Sequence, residues 1–396
     1  MSAQQRFLLL LILVGAVATV LGLVSKRARL VPYPVALAAA GIAVGLLPGG
    51  QFPRIGGSVI LLAFVPGLIF EAALMLDLAE LRRRILPVSL LASAGVAITV
   101  LLIGVLTHLT IGLSWASAML LGAILAATDP IAVITLLRRL KAPAGLAAIL
   151  EGESLFNDGT GVAVFSAVLA TIAAGAPSFG DATIRFFAIT LGGTAVGLAA
   201  GFLGLALLRF AEDAPLEILA TLVIAYGSYL AADLLHASGI VAVVVAGIVV
   251  GRYGTRIGRL HGTQLLGFWN LLAFVLNAML FILVGAAVPA TTLLPVAGLV
   301  LVAYLIMLVT RAVPVYGLLA LSDFRGASIP WAWRHLIFWS GLRGALSVAL
   351  ALTVAGAAGV DGRVSVVAYG VVLLSLLLQG GLMAPVMRAL KIETAQ

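Results

Sequence analysis

Apolar runs of about 20 residues recur from one end of this chain to the other, and each can cross the roughly 30 Å hydrocarbon core of a bilayer as a helix. Of its 396 residues, 63% are hydrophobic and 10% are charged, whereas a soluble domain usually has about 25% charged residues. So few charges cannot give a chain of this length a water-soluble surface. The sequence therefore predicts an all-α polytopic membrane protein.

The apolar runs predict about thirteen transmembrane helices in a single domain. Their approximate bounds are 6–24, 30–49, 58–76, 85–107, 114–137, 150–174, 184–208, 217–235, 238–251, 266–289, 292–320, 335–355 and 364–388. The first run is expected to be a retained span, because its basic cluster follows the apolar segment instead of preceding it as in a signal peptide. Two inverted repeats are expected, at about 1–176 and 217–390, joined by the span at 184–208, although the two halves show no clear sequence similarity.

Basic residues indicate how these spans are oriented. With the N-terminus outside, 17 of the 23 Lys and Arg residues fall in cytoplasmic loops and four outside, while Arg311 and Arg343 lie within spans. This bias follows the positive-inside rule. The net charge of +8 is therefore interpreted as a topology signal and not as a nucleic-acid-binding surface. No long extension follows the last span, so no regulatory tail is expected.

Polar and ionisable residues at membrane depth are concentrated in four spans. A charged group there costs about 2.5–3.5 kcal/mol on insertion scales, which implies a function or a partner. The residues are Glu71 in span three; Thr128, Asp129 and Pro130 in span five; Glu151, Glu153, Ser154, Asn157 and Asp158 in span six; and Arg343 in span twelve. The remaining polar residues are expected near span ends.

The tripeptide Thr128-Asp129-Pro130 predicts a break in the fifth span. Pro130 has no amide hydrogen, so the carbonyl of Ala126 loses its helical partner, and the residue before a proline is disfavoured in helical angles. Unwound backbone at this depth is tolerated where it lines a polar cavity, and its carbonyls beside a carboxylate and a hydroxyl can bind a cation. A plain proline kink capped by Asp129 is an equally good interpretation of the tripeptide alone.

The sixth span carries two polar stripes. Ser154 and Asp158 are four residues apart and share one helix face, with Glu151 two turns from Asp158 on nearly the same line. Glu153 and Asn157 form a second pair, about 100° round the helix. The first stripe is suited to binding and the second to bracing. Asp158 is the strongest candidate because apolar residues follow it, whereas Glu151 is expected at the cytoplasmic boundary.

An arginine within a membrane normally needs a carboxylate. We expect Arg343 to pair with Glu153, which would also hydrogen-bond to Asn157, so that Asp158 and Asp129 remain as the titratable pair.

Two other charged residues each allow two interpretations. Arg311 is expected either to have a structural role or to extend its guanidinium to the membrane–water interface. Glu71 is either a span-end carboxylate capped locally or a gate residue at the cavity wall. Spans five and twelve are seven apart and run in opposite directions, so their interruptions should cross, with Asp129 and Arg343 compensating the half-helix dipoles.

This inventory favours transport over catalysis. With no cysteine and four scattered histidines, thiol chemistry and Cys/His metal centres are excluded, and no nucleophile-base set or cofactor-binding motif is evident. A buried carboxylate holds either a proton or a small cation, so the two compete for one site, which is the basis of antiport. Asn157 occupies a position where a second aspartate would favour extra protons, so exchange without net charge movement is expected.

Several motifs together resemble those of a known family. They are FEAALMLDLAELRR, ATDPIAV, EGESLFNDGTG, HASGIVAVVVAGIVVG, TRAVPVY and WSGLRGALSVALAL, in this order across nearly the whole chain. The chain resembles the prokaryotic NhaP-like sodium/proton antiporters of the monovalent cation:proton antiporter superfamily. The resemblance implies thirteen helices, an inverted repeat, a homodimer in the prokaryotic inner membrane, and electroneutral exchange of Na⁺ or Li⁺ for protons.

The resemblance also implies roles for individual residues. Those resembling ion- and proton-binding positions are Asp158, Asp129, Ser154, Thr128 and Glu71. Those resembling the bracing network are Glu153, Asn157 and Arg343. Alternatives left open are a K⁺/H⁺ or broad monovalent cation exchanger, a cation channel, and a membrane scaffold whose charges are structural.

Overall fold

The computed structural model describes residues 12, 15–23, 33–45, 56–129, 133–134, 136–137, 142–175, 178–254, 262–287, 290–323 and 328–392. These residues form helices and connecting segments, and no β-strand occurs among them. The all-α prediction is therefore confirmed. Pro130 and the basic segments 24–32, 138–141 and 255–261 lie outside the described residues.

The described helices range from short segments to long apolar helices of 30 residues. The labelled helices are α1 (Tyr33–Gly45), α2 (Gly57–Ala63), α3 (Val65–Met75), α4 (Leu78–Arg83), α5 (Ile85–Leu90), α6 (Val96–Ile111), α7 (Trp115–Ala126), α8 (Ala144–Ala173), α9 (Phe179–Leu208), α10 (Ala214–Leu234), α11 (Gly239–Gly254), α12 (Gly262–Ala286), α13 (Ala290–Leu293), α14 (Ala297–Asp323), α15 (Trp331–Trp339), α16 (Ala345–Thr353), α17 (Arg363–Leu374) and α18 (Gly381–Ala389). A π-helical turn at Leu91–Gly95 joins α5 to α6, and another at Ser375–Gly380 joins α17 to α18.

The helices agree closely with the predicted spans. Within the described part of the chain, eight helical stretches are long and apolar enough to cross a membrane, and three shorter helices are also apolar. Each span predicted from residue 58 onward overlaps such a helix, except 335–355, which coincides with the two nine-residue helices α15 and α16. The first span is described only at residues 12 and 15–23, which are helical. The total of thirteen therefore stays a prediction.

The helices pack in two groups. One contains α1, α3, α10, α11 and α12, and the other contains α6, α7, α8, α14, α16 and α17. Helix α9 contacts α8 of the second group and α10 and α11 of the first, so it joins the two groups. In the first group, α1 and α12 approach closely at Gly41 and Gly285, where a Cβ on Gly41 would be 2.9 Å from the Cα of Gly285.

Two helical spans are interrupted, as predicted. Helix α7 ends at Ala126, and residues 127–129 are unwound before Pro130. Helix α15 ends at Trp339, residues 340–344 are not helical, and α16 resumes at Ala345. The glycines at 341 and 344 and the proline at 130 explain these interruptions, since both residue types disfavour a continuous helix.

Candidate functional site

The two unwound segments, 127–129 and 340–344, meet at a backbone hydrogen bond. The amide of Asp129 donates to the carbonyl of Leu342 at an N···O distance of 2.8 Å. Two helix breaks more than 200 residues apart in sequence are therefore in direct contact, which brings the end of α7 close to the end of α15 and the start of α16.

Side chains from the second break cap the carbonyl end of α7. Arg343 donates from Nη1 to the carbonyls of Ala126 at 2.9 Å and Ala127 at 3.2 Å. Ser347, in the first turn of α16, donates from Oγ to the carbonyl of Ile124 at 2.8 Å. A cationic donor at a helix C-terminus also opposes the partial negative charge there. Arg343 therefore stabilises the carbonyls that the unwinding leaves without helical partners.

The carboxylate of Asp129 lies against the N-terminus of α16. A Cβ on Gly344 would be 2.5 Å from the Cγ of Asp129, so any side chain at position 344 would overlap the carboxylate. A negative charge is favourable at this end of a helix. Asp129 and Arg343 thus occupy the two helix ends where the sequence predicted them.

Helix α8 is fastened to the unwound segment by its polar stripes. The Ser154 hydroxyl donates to the Thr128 carbonyl at 2.6 Å. The Asn157 amide donates to the Thr128 hydroxyl at 3.2 Å and to the Ala126 carbonyl at 2.9 Å. Ser154, Asn157 and Thr128 are all buried. This arrangement fixes the position of Asp158, which is one turn beyond Ser154 on the same face.

A cavity of about 240 Å³ opens beside these residues. Because water occupies about 30 Å³ per molecule in the liquid, the cavity has room for an ion with several waters. It brings together all five of the predicted ion-binding residues, from α3, the unwound segment and α8. Its polar lining consists of Glu71, Thr128, Asp129, Glu151, Ser154, Asp158, Asn277 and Ser347.

The predicted pair of Glu153 with Arg343 is wrong. Glu153 forms a bidentate ion pair with Arg311 instead; Nη1 of Arg311 contacts Oε1, and Nη2 lies 3.0 Å from Oε2. Both side chains are buried, and Arg311 donates further to the Ile337 carbonyl at 3.1 Å. The reason lies in the α7 break, since its unsatisfied carbonyls take the donors of Arg343 and leave Glu153 to the arginine on α14.

The predicted hydrogen bond between Asn157 and Glu153 is also wrong. Both donor contacts of Asn157 go to the unwound segment, and its Oδ1 is buried with no hydrogen-bond partner among the described residues. Asn157 therefore braces the helix break, while Glu153 braces α8 against α14 through Arg311.

Two further carboxylates line the cavity. Glu71 lies on α3 and lines the cavity, and whether it is a gate residue or a locally capped carboxylate stays a prediction. Glu151, which was expected at the cytoplasmic boundary, also contributes to the wall. Each side chain is only partly buried, consistent with access from water.

Two polar residues of the cavity were missed by the sequence analysis. Asn277 lies in the middle of α12 within the apolar stretch FVLNAMLF, and not near a span end as expected for the remaining polar residues. Its depth in the apolar run is the signal that could have identified it. Ser347 was missed for a different reason. Serines that bond to a neighbouring helix are common in membrane bundles, so a serine in an apolar span does not by itself indicate a functional site.

A cavity lined by carboxylates, hydroxyls and unwound backbone at the contact of two interrupted membrane helices is characteristic of ion-coupled secondary transporters. Comparison with known proteins gives the family: the model of the transmembrane domain of sodium/hydrogen exchangers matches residues 13–389. The chain belongs to this family of integral membrane transporters.

Relatives and a solved structure agree with this assignment. The chain is 38% identical to the Na⁺/H⁺ antiporter ApNhaP of Aphanothece halophytica, over 98% of this chain and 74% of that protein. It is 37% identical to the Na⁺/H⁺ antiporter NhaP of Pseudomonas aeruginosa, over 85% of this chain and 82% of that protein. The structure of the sodium proton antiporter MjNhaP1 from Methanocaldococcus jannaschii at pH 8 has the same fold, with a TM-score of 0.78 at 22% identity, covering 97% and 99% of the two chains. The resemblance to NhaP-like proteins is thus confirmed.

Proposed function

We propose that this protein is a sodium/proton antiporter in which Na⁺ or Li⁺ and a proton compete for Asp158. The names of its relatives support the exchange reaction. The observation that carries the proposal is that Asp158 shares one cavity with Ser154, Thr128 and Asp129, where α8 meets an interrupted helix. Carboxylate, hydroxyl and carbonyl oxygens are the ligands that hard cations prefer.

In the proposed cycle, Asp158 carries one ligand at a time. Its carboxylate binds Na⁺ together with oxygens of Ser154, Thr128 and Asp129, either directly or through water, and releases the ion when a proton arrives. Glu71, on the α3 side of the cavity, is the remaining carboxylate near the bound ion. Since a proton and Na⁺ each neutralise one negative charge, exchange of one for the other moves no net charge.

The buried charges next to the ion site are proposed to be structural. Glu153 and Arg311 neutralise each other, and Arg343 is held by the carbonyls of α7. Asn157 adds no titratable group beside Asp158, which supports electroneutral exchange.

The wider setting of the site is part of the same proposal. We place the N-terminus outside and the C-terminus in the cytoplasm of a prokaryotic inner membrane, because this orientation gives the positive-inside bias. Two inverted repeats, each contributing one interrupted helix, would place the site near mid-membrane. The family resemblance further favours a homodimer that serves pH homeostasis.

Purified protein in liposomes with an internal pH-sensitive dye tests the proposal. With a preset pH gradient, Na⁺ should drive proton movement in the wild-type protein, and Asp158→Asn should abolish it. Asp181→Asn is the matched control, because Asp181 is an exposed carboxylate at the start of α9. Full activity of Asp158→Asn would refute the competition mechanism.

The same liposomes distinguish the other candidate activities. Equal responses to Na⁺, Li⁺ and K⁺ would indicate a broad cation exchanger, and current in a planar bilayer without proton exchange would indicate a channel. An imposed membrane potential should leave the rate of exchange unchanged if the process is electroneutral.

A further inference from the structure

The cavity has a polar group on the wall opposite Asp158 that the proposed ion site does not use. Asn277 lies on α12, one turn from Ala273 and Leu280, and all three line the cavity. The rest of α12 beside it is apolar, with Leu276 and Ala278 as its neighbours in the chain. Asn277 is therefore the polar residue among the α12 residues that line the cavity.

The side-chain oxygen of Asn277 is buried and has no hydrogen-bond partner among the described residues. A buried acceptor without a partner is unfavourable, and an apolar side chain of the same size would remove this cost. Asn270, two turns earlier on α12, shows the ordinary alternative: its amide donates to the carbonyl of Leu266 at 2.8 Å, within its own helix. In this orientation the oxygen has almost no accessible surface, but Asn277 lines the cavity, and a half-turn of its amide about χ2 exchanges oxygen and nitrogen and presents the oxygen to a group that enters the cavity.

The position of α12 defines what that group contacts. Helix α12 belongs to the first helix group, with α1 and α3, whereas Asp158 is on α8 in the second. An ion between the two walls therefore meets Asp158 and Ser154 on one side and Asn277 on the other. A neutral amide oxygen can replace a water of hydration on a hard cation without binding a proton.

We propose that Asn277 is a specificity-determining residue, whose amide oxygen contacts the partly dehydrated cation in the cavity, directly or through one water, and strengthens cation binding relative to proton binding at Asp158. This inference rests on the proposed antiport function. It predicts that Asn277 sets the KM for the cation and has little effect on the maximal rate. Small cations bind oxygen ligands more strongly than large ones, so Na⁺ and Li⁺ should depend on Asn277 more than K⁺ does.

The test compares Asn277→Leu with Asn277→Ser in the liposome assay, using NaCl, LiCl and KCl. Leucine keeps the volume and removes the oxygen, and serine keeps an oxygen on a shorter side chain. We expect Asn277→Leu to raise the KM for Na⁺ about fivefold, a size typical of one lost polar contact, with the maximal rate within about twofold of wild type. Asn277→Ser should raise it less. At a fixed, subsaturating Na⁺ concentration, the acid side of the pH profile of Asn277→Leu should move to higher pH.

Thermal stability separates this role from a structural one. Asn277→Leu should melt at the wild-type temperature or above it, because it removes an unsatisfied buried acceptor, while Na⁺ affinity falls. Asn270→Ala is the matched control and should leave the KM unchanged. An unchanged KM in Asn277→Leu, a rise in KM accompanied by a lower melting temperature, or a KM for Asn277→Ser as high as that for Asn277→Leu would each overturn the inference.

The design also separates this inference from the proposed function. If the wild-type protein shows no cation-driven proton flux, or if Asp158→Asn is fully active, the antiport mechanism itself fails. If the wild type is active, Asp158→Asn is silent and Asn277→Leu behaves as wild type, only the role of Asn277 fails.

Discussion

The carboxylate of Asp129 occupies the space that a side chain on residue 344 would need, so Asp129 and Gly344 are fitted to each other across the two helix breaks. A Cβ at position 344 would lie 2.5 Å from the Cγ of Asp129, and the Asp129 amide is itself held by the Leu342 carbonyl at 2.8 Å. Neither residue can move without displacing the other segment. The geometry of the part of the cavity wall formed by the two unwound segments therefore depends on a glycine at position 344.

We predict that Gly344→Ala separates the two unwound segments and impairs transport. The added methyl group cannot be accommodated by rotating a side chain, because Asp129 is fixed through its backbone, and overpacking of this kind costs about 1–3 kcal/mol. A lower melting temperature in detergent and a reduced rate in liposomes should be observed together. Gly317→Ala is the control, since a Cβ there meets no atom within 4 Å. Wild-type behaviour of Gly344→Ala would contradict the tight fit.

A second prediction concerns the buried ion pair of Glu153 and Arg311. Arg311→Ala should destabilise the protein by about 3–5 kcal/mol, because it leaves an uncompensated carboxylate in the interior. Thermal melting of Arg311→Ala, Glu153→Gln and the double variant forms a double-mutant cycle. The cycle should show strong coupling: the double variant should lose less unfolding free energy than the two single variants lose in sum.

The same cycle with Arg343 in place of Arg311 is the control. Arg343→Ala should also lower stability, because the carbonyls of Ala126 and Ala127 lose a donor, but its coupling to Glu153 should be weaker. Stronger coupling of Glu153 to Arg343 than to Arg311 would contradict the assignment of the pair.

Those two arginines illustrate what local sequence can and cannot predict. The breaks in α7 and between α15 and α16 were predictable, since Pro130 and the glycines at 341 and 344 act on the backbone locally. The stripe of Ser154 and Asp158 was predictable for the same reason, because helical spacing alone puts the two residues on one face. All of these depend on residues within one turn of each other.

Partner choice between distant spans was not predictable. Arg311 and Arg343 both lie in apolar spans, and either could in principle neutralise Glu153. The choice depends on which arginine faces the unpaired carbonyls of α7, and this is a property of helix packing. Asn277 was missed for a related reason: a single amide in an apolar helix gives no periodic signal, and its importance depends on the cavity wall it faces.

A third prediction concerns pH and Asp361, a carboxyl that lies just before the membrane-spanning helix α17. Hydrogen bonds from the Arg363 side chain, opposed by partial burial, hold the pKa of Asp361 below its ordinary value, and the Arg363 amide contributes in the same direction. Arg363 also donates to the Ile111 carbonyl at 3.2 Å, so the pair joins the start of α17 to the end of α6. The folded state therefore favours the ionised form of Asp361.

The sign of the effect follows from that direction. A carboxyl whose pKa is lower in the folded state stabilises the fold above its unfolded pKa, and this contribution disappears as the pH falls through the folded value. We expect Asp361→Asn to lower the free energy of unfolding at pH 7 by less than about 1 kcal/mol, because solvent screens a pair whose side chains are 40% and 29% exposed. The difference from wild type should shrink as the pH falls below about 4. A difference independent of pH would contradict the assigned cause.

The last prediction separates the two functions of the Ser154 hydroxyl. Its hydrogen is used in the bond to the Thr128 carbonyl, at 2.6 Å, so the oxygen lone pairs remain for an ion in the cavity. Ser154→Ala removes both the fastening and the ligand, and we expect the KM for Na⁺ to rise about tenfold or more, together with a modest loss of stability of about 1 kcal/mol. Ser154→Thr keeps the hydroxyl and should retain most of the affinity. Ser228→Ala is the control, because Ser228 is also buried and its one hydrogen bond among the described residues is to the Ala225 carbonyl of its own helix. Unchanged Na⁺ affinity in Ser154→Ala would show that Ser154 is not an ion ligand and that its hydroxyl only holds α8 to the Thr128 carbonyl.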